Sequence, residues 1–164
     1  MAGGLIYIRL IWSDIPMLRL GKKADYGLIA LRHLAAQRPR AACSAKEIAK
    51  AYGMPAELVA KVLQRLAKIG LLASQHGTNG GYALARDPAE INAFEVIRAL
   101  EGPLFITSCV TDRSECHQMT RCTVREPLRK VNDAIAQALR EVTVSSLILE
   151  PQSLIQIQRE GRRA

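Results

Sequence analysis

The sequence predicts a mainly α-helical fold interrupted by a single β-hairpin. Apolar residues recur at helical spacing in five separate stretches. A capping-box signature, Ser or Asn followed three residues later by Glu, stands before two of them. One glycine-rich stretch, residues 77–81, separates two short runs that read as strands. The chain has 164 residues, enough for one compact domain plus an extra element. Its hydrophobic content of 49% supports a core, and its aromatic content of 4% means that Leu, Ile, Val and Ala must build it. That usage suits helices.

The first helix is predicted over residues 22–37, where Ala24, Leu28, Leu31 and Ala35 share a face and Pro39 lies just past the end. Ser44 and Glu47 form the first capping box, opening a short helix with Ala45, Ile48, Ala49 and Tyr52 on one side. Gly53-Met54-Pro55 then makes a tight turn. A third helix runs from about Pro55, with Val59, Val62, Leu63 and Leu66 inward and Gly70 as its stop. Residues 71–76 and 82–85 are the two strands. Asn92 and Glu95 form the second capping box, before a helix carrying Ala93, Val96, Ile97 and Leu100 and ended by Gly102-Pro103. A long amphipathic helix is expected from Thr123 to Val142, its stripe formed by Leu128, Val131, Ile135, Ala138, Leu139 and Val142. Thr143–Ser146 caps a last turn.

Two short helices joined by a glycine turn are a helix-turn-helix pattern. A hairpin directly after it makes a winged helix-turn-helix. The outward face of the third helix, Glu57, Lys61, Gln64, Arg65 and Lys68, carries mostly basic and amide groups suited to a major groove. On the helix alone, a solvated surface explains these residues equally well. The wing shifts the balance, because glycine-rich backbone at its tip can approach a phosphate or a minor groove. His76, Gly77, Asn79 and Gly80 are the wing residues placed at that contact, although His76 alone reads equally as a surface histidine.

Charge points the same way. The net charge is +8, and residues 17–86 carry twelve Lys/Arg against three Asp/Glu, whereas residues 87–164 carry ten against eleven. A basic field confined to the helix-turn-helix half favours a polyanion, here a double-stranded DNA operator. The long final helix has little of its own chain to bury against, so a homodimer through its apolar stripe is expected, setting two third helices on a two-fold site. No Walker loop, nucleophile elbow or HExxH motif supports an enzyme. The apolar N-terminus is short and interrupted by Arg9, which fits neither a signal peptide nor a membrane span, and a cytoplasmic protein is expected.

Organisation along the chain follows: residues 1–16 as an N-terminal extension with Met17 as the natural start, 17–86 as the DNA-binding domain, 87–108 as a linking helix, 109–122 as a cysteine loop, 123–148 as the dimerisation helix, and 149–164 as a tail. The loop, CVTDRSECHQMTRC, holds Cys109, Cys116 and Cys122 among polar residues. Thiols that only pack prefer apolar surroundings, so three in a polar loop suggest thiolates that hold a metal or a cluster. A thiol redox switch is a second reading. Structural zinc through three cysteines and His117 is a third, disfavoured because the spacings lack a short Cys-x2–4-Cys knuckle. A cluster-handing scaffold protein is a fourth, and the basic winged helix speaks against it. Cys43, outside the loop, reads as structural or incidental.

The chain resembles the iron–sulfur-dependent winged-helix transcription regulators of the IscR and NsrR type, most closely the regulators of the SUF iron–sulfur assembly operon. The matching residues are Leu18-Arg19-Leu20 and Ala24–Gly27, Ser44–Ile48 with Gly53-Met54-Pro55, Leu63–Leu72, Gly80–Arg86, Val96–Pro103, and the three spaced cysteines. Together they span about residues 17–148. The resemblance implies a homodimeric repressor that senses cluster status through a 2Fe–2S or 4Fe–4S cluster on Cys109, Cys116 and Cys122. Iron–sulfur clusters favour such thiolate ligation. In one branch the fourth ligand is a histidine three residues after the last cysteine, where this chain has Arg125. In the other it is an aspartate of the first helix, supplied by the partner subunit, and the matching residue here is Asp25. His117 is the local alternative.

Overall fold

The computed structural model describes residues 20–37, 42–77, 80–106, 118 and 120–148. Among these residues, five helices and one hairpin follow in order: α1 (Lys22–Ala36), α2 (Ala45–Tyr52), α3 (Ala56–Lys68), β1 (Leu72–Gln75), β2 (Gly81–Leu84), α4 (Ala93–Glu101) and α5 (Arg125–Glu141). This is a winged helix-turn-helix with a helical C-terminal extension.

Sequence sets the boundaries. The Ser44 capping box forms in full: Glu47 N donates to Ser44 Oγ at 3.2 Å, and Ser44 N donates to Glu47 Oε2 at 2.7 Å. Gly53 ends α2 in the left-handed region at φ 63°, which a glycine adopts without a Cβ penalty. Pro55 then serves as the N-cap of α3. The second predicted capping box is only half made. Asn92 Oδ1 accepts from Glu95 N at 2.9 Å, but the Glu95 carboxylate pairs with Arg86 Nη1 at 2.8 Å. A charged partner outcompetes the backbone amide for that carboxylate.

The hydrophobic core joins all the helix-turn-helix elements. Leu31, Ile48, Val59, Leu63, Leu66, Leu71, Ile91 and Val96 are fully buried. β1 and β2 pair antiparallel, with Leu72 opposite Leu84 and Gln75 opposite Gly81. A third chain segment extends this sheet, because Cys43 N donates to Tyr82 O at 3.1 Å and Tyr82 N to Cys43 O at 2.9 Å. A Cβ on Gly81 would lie 2.5 Å from the Cys43 carbonyl, so only glycine allows this approach.

The C-terminal end of α5 is tied back to the domain. Ala93 N donates to Val142 O and Val144 N to Ile91 O, both at 2.8 Å, and Val144 is wholly buried. Ala136 is the buried residue of α5, and Leu139 packs beside Ala24, Ala93 and Ile97. The helix is shorter at its start than the predicted Thr123 because Val124 caps it.

Candidate DNA-binding surface and cysteine segment

Helix α3 divides cleanly. Val59, Val62, Leu63 and Leu66 are buried, and Glu57, Lys61, Gln64, Arg65 and Lys68 are all exposed. At 1.5 Å per residue the exposed stripe runs for about 16 Å, a length a major groove accommodates. Arg65 is held rather than loose: its Nε donates to Ala99 O of α4 at 3.2 Å. The sequence offers no sign of that contact, since it joins two helices through a backbone carbonyl.

The wing follows from two glycines. Gly77 has φ 115°, a conformation that L side chains rarely adopt. Gly80 N donates to Gly77 O at 2.9 Å, and a Cβ on Gly80 would meet Gln75 O at 2.6 Å. The turn is therefore tight, and His76 and Gly77 beside it are exposed. Asn79 lies outside the described residues. Arg86 at the hairpin's far end is occupied by Glu95 and by Glu90 O.

Of the cysteine segment, Cys109, Cys116 and His117 lie outside the described residues, as do residues 1–16 and 151–164 of the predicted extension and tail. Cys122 is half-buried, two residues before the N-cap of α5. That N-terminus carries no side-chain cap. Helix N-termini favour anions, and a thiolate-held cluster is anionic. Arg125 opens α5, and Ile106 N donates to Asn132 Oδ1 at 3.2 Å, fixing the end of α4's following segment to α5. Asp25 is exposed in the first turn of α1. No cluster of three His, Cys, Asp or Glu that could hold a metal occurs among the described residues. Cys43 lies deeper than Cys122. It is buried in the sheet, and burial, aided by the Glu47 charge, pushes its thiol above the ordinary range. A thiol held in its neutral form is a packing residue rather than a ligand.

The start of α1 has a partner that sequence reasoning missed. Gly21, its N-cap, offers no side chain, and the Glu101 carboxylate at the end of α4 accepts from Ala24 N at 3.2 Å. A Cβ on Gly21 would collide with that carboxylate. The glycine is thus the signal that something approaches closely there.

The Rrf2 family, described as iron-dependent transcriptional regulators, matches residues 20–150. The chain belongs to the Rrf2 family. The transcriptional regulator NsrR of Shouchella clausii is 32% identical over 138 residues, covering 84% of this chain and 93% of that protein. Among solved structures, CymR of Bacillus subtilis, a global cysteine regulator, superposes with a TM-score of 0.66 at 28% identity, covering 80% of this chain and 97% of CymR. IscR of T. potens superposes with a TM-score of 0.65 at 26% identity, covering 83% and 90%. As an Rrf2 protein the chain is a DNA-binding transcriptional regulator and not an enzyme. No helix among its described residues is long and apolar enough to cross a membrane.

Proposed function

We propose that this Rrf2 regulator is a homodimeric repressor of iron–sulfur assembly genes whose hold on its operator is set by an iron–sulfur cluster. Cys109, Cys116 and Cys122 would ligate the cluster, with Asp25 of the partner subunit as the fourth ligand. What supports the reading is the place of the cysteine segment along the chain, after the helix that braces α3 through Ala99 and before the helix that bears the apolar stripe. A change there reaches both the DNA-facing helix and the dimer seam.

The chain's own residues supply the rest. Glu57, Lys61, Gln64, Arg65 and Lys68 meet the major groove, and the wing at His76, Gly77, Asn79 and Gly80 meets the backbone. Val124, Val131, Ala138 and Val142 are exposed at seven-, seven- and four-residue spacing along one side of α5, the pattern of a helix seam awaiting a partner. When bound, the cluster supplies an iron centre on which iron supply, oxidants or nitric oxide can act. A ligand from the second subunit makes cluster occupancy a contact that differs between two dimer states, which an allosteric shift in DNA affinity requires.

A second reading, a thiol switch on the same cysteines without a cluster, is supported by the likeness to the cysteine regulator CymR. Iron and sulfide analysis of the anaerobically purified protein separates the two: iron with acid-labile sulfide supports the cluster, and their absence supports the thiol switch. The Asp25→Ala variant tests the fourth ligand: weakened cluster retention with normal folding supports Asp25, and unchanged cluster stability removes it from the ligand set.

A further inference from the structure

Basic residues on three helices gather beside the outward stripe of α3. Lys23 at the start of α1, Lys61 and Arg65 on α3, and Arg98 on α4 converge on one cleft between the three helices, of about 440 Å³. Leu58, Val62 and Leu100 give it an apolar lining. The volume falls among small-molecule pockets, roughly 300–1,000 Å³. Glu101 is the one carboxylate in the lining, and it is engaged by the amide of Ala24 at 3.2 Å. None of the ion pairs among the described residues uses the four cations. One of them, Arg65, is oriented in advance by its bond to Ala99 O at 3.2 Å. A DNA phosphate would use the cations and leave the apolar lining idle. A molecule with an acidic group on an apolar body uses both.

We propose that this cleft binds a small organic anion, a carboxylate carried on an apolar body. Bound there, it neutralises Lys61 and Arg65 and so lowers operator affinity. That consequence rests on the operator-contact reading of α3, whereas the anion site itself does not.

The test uses the full chain, with phenylbutyrate as probe and its uncharged amide and inorganic sulfate as controls, followed by methyl NMR. Phenylbutyrate is expected to shift the methyl signals of Leu58, Val62 and Leu100, and to bind about tenfold more tightly than either control. Lys23→Ala and Arg98→Ala, both at exposed positions outside the operator-contact set, should each weaken it about tenfold and keep the wild-type unfolding temperature. In a separate titration, phenylbutyrate should weaken operator binding of the wild type, and the concentration needed for the same effect should rise about tenfold in Arg98→Ala. Equal binding of the amide, methyl shifts confined to α5, or indifference to both substitutions would overturn the site. Cleft binding that leaves operator affinity unchanged would overturn the proposed coupling to DNA, and loss of operator binding by every form would count against the operator reading while the anion site stands.

Discussion

Helices α3 and α5 are both amphipathic, yet the fold treats them in opposite ways. All four apolar residues of α3's inner face are at most 2% exposed, enclosed by α1, α2 and the hairpin. On α5 only Ala136 is buried, while Val131 keeps 49% of its surface and Val124 before it 55%. The polar side of α5 is dressed with the Glu126–Arg129–Asp133 ion pairs, which are exposed and add little to stability. The difference teaches that one helix is satisfied within the chain and holds its outward face steady, whereas the other, among the described residues, keeps an apolar seam exposed and is tied to its domain through Asn132, Leu139 and Val144.

The comparison breaks most readily at the buried helix. Leu63→Ala should destabilise the fold by about 2–5 kcal/mol, as removal of a fully buried leucine leaves a cavity; chemical denaturation measures this. On the other helix, Val131→Asp should leave the monomer's stability within about 0.5 kcal/mol. It should weaken self-association at least about tenfold, or roughly 1.4 kcal/mol, in analytical ultracentrifugation. A Val131→Asp protein that unfolds would show that α5 packs on its own domain instead. On the outward face of α3, Lys61→Ala should cost about 1 kcal/mol of operator binding and lower the salt slope by about one, without changing the fold.

The smallest effect concerns the helix that leads into α3. Ser44→Ala should cost about 1 kcal/mol of stability. Its partner gives a pH signature. The Ser44 backbone and hydroxyl hydrogen bonds hold the Glu47 carboxyl below the usual glutamate range. Its folded pKa lies under its unfolded one, so the contribution is present above the unfolded value and fades as pH falls through the folded value. Acid titration of thermal stability should therefore show a smaller acid-side loss for Glu47→Gln, which has no carboxyl to titrate, than for the wild type.

Much of the fold was legible because its signals are local. The Ser44–Glu47 box, the Gly53 turn and the inward spacing of α3 each specify their element within a few residues. What escaped depends on distant partners. The pairing of Cys43 with Tyr82 makes a third sheet segment, yet nothing around Cys43 names its partner. Glu95 reads as a capping residue until Arg86 is brought beside it by the hairpin. The burial of Val144 against the core depends on Ile91 and cannot be seen from the stripe of α5. At the candidate site, the exposed face of α3 was legible from periodicity, but the bracing of Arg65 by Ala99 was not, because a backbone carbonyl carries no sequence identity.

The central claim is that the cysteine segment holds an iron–sulfur cluster that governs DNA binding. Anaerobic purification, followed by the visible absorption spectrum, iron and sulfide analysis and operator titration of the same sample, tests it most directly. The account predicts a coloured protein containing iron and acid-labile sulfide, whose operator affinity changes when the cluster is removed and whose colour is lost in Cys122→Ser. A colourless protein that carries zinc or no metal, and binds its operator equally well before and after chelation, would contradict it.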